Sequence, residues 1–278
     1  MIYLIKFPHE QVYDYHLNKF QYKSHLHLTM IDLDILVFAA HPDDAELGCG
    51  GMIASMIKQG YKVGIVDLTE GEMGSRGTIQ SRYEEAKVAS EILGLHYRNN
   101  LQIADSIIEN NSANQKKIIQ VIRSTRPDIC FIGAPSDRHP DHGKATKLCA
   151  DALFYSGLIK IETNDPASQE IQEVWRPHHV FHYMQDRPID YQIILDISDV
   201  WDTKVKAMAA FTTQFNAPSG DKEPKTYISD PSFFQQLEAR ARYFGHLGGC
   251  TYGEPFAYHN LPAGVKNFDS FFQHKQKR

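Results

Sequence analysis

Two short stretches of this chain set metal-ligand and acid–base side chains at the ends of apolar runs. In the first, AHPDDAELGCGG, the residues His41, Asp43, Asp44 and Glu46 follow an apolar run that begins at Leu33. In the second, SDRHPDH, the residues Asp137, Arg138, His139, Asp141 and His142 follow the run from Ile129 to Ala134. Imidazole nitrogens and carboxylate oxygens bind divalent cations, and three protein ligands leave a position for water, the pattern of catalytic rather than structural zinc. His41 and Asp44 stand three apart on a turn, and His142 opens a helix after the second run, so two imidazoles and one carboxylate make such a set. The same donors suit Fe2+, Mn2+ or Co2+. Adjacent acids seldom both reach one ion. Of Asp43 and Asp44, one is therefore expected to bind metal and the other to take a proton from the attacking water. His139 is then left as a general acid or oxyanion partner, with Asp141 as the carboxylate that orients it.

The elements that carry these side chains are legible as an alternation of strand and helix. After the first strand, Glu46 to Gln59 has helical spacing and stops at Gly60. Lys62 to Leu68 is a second apolar strand, followed by a glycine-rich loop over 69–78 and a helix from about Gln80 to Gly94. A short strand near His96 to Asn100, a helix from Ser112 to Thr125, a strand from Asp128 to Ala134 and a helix from Pro140 to about Tyr155 come next. This rhythm predicts an α/β fold, a Rossmann-like, mainly parallel sheet with flanking helices, and ligands beyond the carboxyl ends of the strands. Past Gly157 the rhythm changes. Strands are expected at Pro177 to Tyr183 and Tyr191 to Ile197, and helices at Val200 to Phe211 and Pro231 to Phe244, as a C-terminal cap in the same domain. Residues 1–29 show no element-length period and read as a disordered extension, 30–272 as the main domain and 273–278 as a basic tail.

Composition narrows the function. The chain has 278 residues and a formal charge of −5, with its 29 Lys and Arg spread along it, so no basic face for nucleic acid is expected. Its four cysteines form no CxxC pair and fit reduced thiols in a cytoplasm. No apolar run approaches the roughly 20 residues that span a bilayer, and MIYLI is too short for the apolar region of a signal peptide. A cytoplasmic enzyme for a small soluble molecule is the expectation. Gly48, Gly50 and Gly51 follow a strand, but the GxGxxG spacing of a dinucleotide site is not met, and the acids beside them would repel a pyrophosphate. A GxSxG nucleophile elbow is absent as well.

AHPDDAELGCGG, the loop TEGEMGSRGT and DRHPDH, in this order, resemble the LmbE-like or PIG-L-type N-acetylglucosaminyl deacetylases, and among them the branch of bacillithiol biosynthesis. The resemblance runs from about Asp32 to Phe256. It implies that His41, Asp44 and His142 bind zinc, that Asp43 is the general base, and that His139, supported by Asp141, assists the oxyanion or the leaving amine. It implies hydrolysis of the N-acetyl group of N-acetyl-α-D-glucosaminyl L-malate, with another N-acetylglucosaminyl conjugate or a neutral N-acetylglucosaminide as the alternative. Arginines that relatives use fall on Arg82 and Arg138, which would meet the malate carboxylates, with Arg76 as a third cation. Some relatives carry an oxyanion tyrosine where this chain has Phe233; Tyr227 is then the candidate for that hydroxyl. Relatives are often oligomeric, so a homo-oligomer acting on a small-molecule sugar conjugate is expected.

Overall fold

The computed structural model describes residues 32–215 and 222–259; the extension expected at 1–29 and the tail at 273–278 lie outside them. Seven strands form one sheet: β1 (Ile35–Ala39), β2 (Val63–Asp67), β3 (Tyr97–Asn100), β4 (Ile129–Ile132), β5 (His179–Tyr183), β6 (Ile193–Asp196) and β7 (Gly253–Tyr258), in the order β3-β2-β1-β4-β5-β7-β6. The first five are mutually parallel, and β7 runs antiparallel to both β5 and β6. Helices α1 (Asp44–Lys58), α2 (Ile79–Leu93), α5 (Trp201–Ala209) and α6 (Phe233–Gly248) cover one face, and α3 (Ser112–Thr125) and α4 (Pro140–Tyr155) the other.

β1 shows why its sequence is apolar throughout. Ile35, Val37 and Ala39 belong to the core under α1 and α2, whereas Leu36 and Phe38 belong to the core under α3 and α4. A strand buried on both faces needs no polar side. The chain leaves β1 toward β2 and β3, then returns to set β4 on the other flank of β1. That reversal opens a crevice at the carboxyl ends of β1 and β4, where both polar clusters lie.

The expected C-terminal cap is built into the same sheet, since β6 and β7 extend it. β7 escapes sequence reading because Gly253 and Pro255 are poor strand residues. Phe256 bonds toward β6 through its carbonyl, so Pro255 faces the β5 side, where the ladder begins only at Phe256. The proline's missing N–H thus costs no ladder bond. Helix ends follow ordinary chemistry: Thr78 and Ser81 form a reciprocal capping box on α2, Gly94 ends it at φ 75, and Pro140 occupies the first turn of α4. All four cysteines are unpaired. Among the described residues no helix is long and apolar enough to cross a membrane.

Candidate active site and metal centre

The turn after β1 carries His41, Pro42 and Asp43 into α1. Asp43 has φ 116, a left-handed conformation rare outside glycine, and its side chain does not cap the helix. The carboxylate instead lies 3.4 Å from Arg82 Nη2, which also donates to the Pro42 carbonyl at 2.5 Å. Asp44 faces the opposite way. Its Oδ2 accepts the His41 backbone N–H at 2.9 Å and lies 3.3 Å from His41 Nδ1, while its Oδ1 lies 3.2 Å from His142 Nε2.

Each of these imidazoles has its second nitrogen held by another carboxylate. His41 Nε2 is 3.0 Å from Asp105 Oδ1 and 3.7 Å from Asp141 Oδ2, and His142 Nδ1 is 2.5 Å from Asp137 Oδ2. Histidines that bind metal typically turn their far nitrogen to a carboxylate or carbonyl, which fixes tautomer and ring orientation. His41 Nδ1 and His142 Nε2, with Asp44 between them, therefore fit a divalent cation. Nitrogens of His41, His139 and His142 also lie within 4.8 Å of one another, as do ligand atoms of His41, Asp105 and Asp141.

Burial and charge set the protonation of the group. Burial opposes a charge on His41, but hydrogen bonds with Asp105, Asp141 and Asp44 outweigh it and hold the pKa well above the usual value. His142 behaves alike and is raised to about 9, burial being overcome by the Asp44 charge and the bond to Asp137. Burial also opposes ionisation of Asp44, yet His142 and His41 keep it well below the usual carboxylate range. Asp43 goes the other way. Burial raises it to about 7, against the pull of Arg82. His139 is lowered by burial and by the charges of His41 and His142.

His139 stands at the N-cap of α4, where its Nδ1 accepts the backbone N–H of Asp141 at 3.3 Å. The Asp141 carboxylate does not orient this ring, contrary to the sequence expectation. Its Oδ2 accepts the Ser106 N–H at 2.7 Å and backs His41 instead. The reason is the helix start: Asp141 follows Pro140 in the first turn, and its side chain points to the loop after β3.

The cleft over this group is lined by Met73, Arg82, Asp105, Arg138, Tyr227 and Phe233 among others. Arg138 stacks 4.6 Å over the Tyr227 ring and lies 3.5 Å from Asp186, and both Arg138 and Tyr227 remain about half exposed at the mouth. Phe233 is buried at the start of α6 against Phe215 and Tyr227. Arg82 lines the cleft with its guanidinium turned to Pro42 and Asp43, where it meets the turn after β1. Arg76 is a correction. It is 4% exposed, is not among the cleft-lining residues, and donates to the Thr213 and Pro224 carbonyls at 2.7 and 3.0 Å, tying the loop after β2 to the segments on either side of 216–221.

Asp105, Gln185 and Asp186 line the cleft with no forewarning from motif spacing. Asp105 accepts from Met73 N–H at 3.0 Å while its own N–H donates to Glu72 at 2.8 Å, so it joins the loop after β2 to His41. All three follow the carboxyl ends of strands, β3 and β5, and that position was the available signal.

An α/β sheet that gathers two imidazoles, their backing carboxylates and a buried acid near neutral pKa at its strand ends holds a candidate metal site beside a candidate base, the parts from which a metal-assisted hydrolase is built. Residues 36–153 match the family model described as PIG-L: GlcNAc-PI de-N-acetylase. The chain is 30% identical over 234 residues to the diacetylchitobiose deacetylase of Thermococcus kodakarensis, covering 79% of this chain and 80% of that protein. It belongs to the PIG-L family of deacetylases, hydrolases of amide bonds. The crystal structure of the conserved protein TT1542 from Thermus thermophilus has a TM-score of 0.73 at 36% identity, over 84% of this chain and 98% of that one. A probable N-acetyl-alpha-D-glucosaminyl L-malate deacetylase 2 of Bacillus cereus is 25% identical over 221 residues, 73% of this chain and 94% of that protein.

Proposed function

We propose that this deacetylase removes the acetyl group from N-acetyl-α-D-glucosaminyl L-malate, with zinc held by His41, Asp44 and His142. One observation carries the reading: His41 Nδ1 and His142 Nε2 face the two oxygens of Asp44 while buried carboxylates hold their far nitrogens. Zinc held there supplies Lewis acidity to the acetamide carbonyl and to the attacking water. Fe2+, Mn2+ and Co2+ suit the same donors, and metal analysis of the isolated protein decides among them.

Asp43 takes the proton from the attacking water. Its burial and its pKa of about 7 suit a base at neutral pH, and Arg82 holds the carboxylate in place. As the carbonyl carbon becomes tetrahedral, His139 donates to its oxygen. With Nδ1 accepting from Asp141 N–H, the neutral ring carries its proton on Nε2, and the lowered pKa keeps it neutral. The C–N bond then breaks, Asp43 returns the proton to the departing amine, and acetate is left.

For the aglycone, support comes from Arg138 at the mouth and from the name of the Bacillus cereus relative. A guanidinium meets carboxylates with paired hydrogen bonds. The test is acetyl loss, followed by mass spectrometry, from N-acetylglucosaminyl malate, diacetylchitobiose and free N-acetylglucosamine. The malate conjugate should lead in kcat/KM by about fivefold, the roughly 1 kcal/mol of an ion pair at a half-exposed guanidinium. Preference for diacetylchitobiose would move the assignment to neutral glycans, and no acetyl loss from any of them by the metal-loaded protein would overturn it.

A further inference from the structure

Helix α1 is interrupted. Cys49 stands at φ −144 and ψ 23, outside helical geometry, so a short first segment bearing Asp44 and Glu46 meets the longer second one at a kink. A regular helix would join the Leu47 carbonyl to the Gly51 N–H. Here each is taken by a side chain from far along the chain. Lys204 of α5 donates from Nζ to the Leu47 carbonyl at 2.8 Å, and Glu254 of β7 accepts the Gly51 N–H on Oε1 at 2.9 Å. Glu254 Oε2 accepts the Met52 N–H at 2.7 Å as well, and the two side chains pair at 2.6 Å. Lys204 and Glu254 are 2% and 3% exposed.

The glycines after Leu47 make this possible. A Cβ on Gly51 would lie 2.9 Å from Glu254 Oε1, and one on Gly50 would lie 3.3 Å from Lys204 Cγ. On the other side of the kink, a Cβ on Gly48 would lie 2.3 Å from the Tyr183 ring. The run LGCGG is thereby spent on bringing the kink against β5, α5 and β7. A buried ion pair adds little net stability over apolar residues of similar volume. What this pair supplies, and an apolar pair lacks, is a donor for the Leu47 carbonyl and acceptors for the Gly51 and Met52 amides.

We infer that Lys204 and Glu254 are positioning residues for the metal-binding turn, inserted into the opened helix so that its first segment aims Asp43 and Asp44 into the cleft. The link is Leu47, whose N–H donates to the Asp43 carbonyl at 2.9 Å, whose carbonyl takes Lys204, and whose side chain lines the cleft. With the pair removed, the Leu47 carbonyl and Gly51 N–H turn back to each other and the turn before them swings. The inference rests on the zinc reading for one of its readouts only.

The test is the double variant Lys204→Met with Glu254→Leu, which leaves no lone buried charge, and beside it the single variant Glu254→Gln. Circular dichroism establishes that each is folded. Zinc affinity of the metal-free protein, by competition with a chromophoric chelator, should fall about tenfold or more, as for other changes behind metal ligands. Amide hydrogen exchange should change at Gly51 and Met52, and kcat should fall with KM little altered. A folded double variant with wild-type zinc affinity and wild-type kcat overturns the inference, even where its melting temperature has changed. If the wild type itself binds no metal, the reading under Proposed function fails instead, and kcat with amide exchange still decides this one.

Discussion

Asp137→Asn probes the proposed metal centre through an atom that would never touch the metal. Asp137 Oδ2 lies 2.5 Å from His142 Nδ1, and its Oδ1 accepts the backbone N–H groups of Arg187 at 2.8 Å and Asp186 at 3.3 Å. Asparagine has one acceptor oxygen in place of two. If that oxygen stays on the two amides, the NH2 group points at His142 Nδ1, which must then accept. The ring proton moves to Nε2, the nitrogen that faces Asp44, and the ligand lone pair is lost. If the amide flips, His142 keeps its tautomer but the two part-buried N–H groups face a donor. Either way the penalty falls on the metal-bound state. Carboxylates behind metal-bound histidines contribute about 10- to 100-fold in affinity, or about 1.4 to 2.7 kcal/mol. Asp137→Asn belongs at the upper end, because among the described residues no second carboxylate backs His142. Asp105→Asn belongs at the lower end, because Asp141 stands 3.7 Å from His41 Nε2 and can take over. The assay is zinc titration of each metal-free variant against a chromophoric chelator at fixed pH, with circular dichroism to establish folding. An Asp137→Asn protein within about twofold of wild type, or an Asp105→Asn protein weaker than it, refutes the tautomer argument.

Three further outcomes follow from the same geometry. Asp43→Asn should lower kcat by about 100-fold or more with zinc content unchanged; asparagine is the right replacement because it tolerates the left-handed φ of 116, and full metal with near-normal turnover would disprove the base. Arg76→Ala should lower the melting temperature through loss of two carbonyl partners, about 1 to 3 kcal/mol, with the ratio of kcat/KM for charged and neutral substrates unchanged; a change in that ratio would return Arg76 to the substrate. Arg138→Ala should weaken the malate conjugate by about 1 kcal/mol, since the guanidinium is half exposed and already shared with Asp186, and should leave free N-acetylglucosamine unaffected; equal losses on both would make Arg138 a sugar contact.

The two polar clusters were readable because each follows an apolar strand buried on both faces, where a histidine and several acids have no packing reason to stand. That same contrast hides Asp105. It follows β3, whose YRNN sequence is only partly buried, so no apolar run announces the strand end. Arginines were legible as cations and not as partners: Arg76 and Arg82 end on the carbonyls of Thr213, Pro224 and Pro42, groups every residue carries. The orienting role expected of Asp141 went astray for a related reason, since its backbone N–H, rather than its carboxylate, meets His139. β7 was invisible because Pro255 is harmless only at the end of one ladder, a fact about register. The HPDD turn therefore depends on chain that no local pattern connects to it. Its acid is held by Arg82, its histidine by Asp105, and its helix by Lys204 and Glu254, the last two arriving about 150 and 200 residues later to bind main-chain atoms. Side chains that perform the chemistry leave a motif, whereas those that aim them through backbone groups leave none, and only the folded chain brings the two sets together.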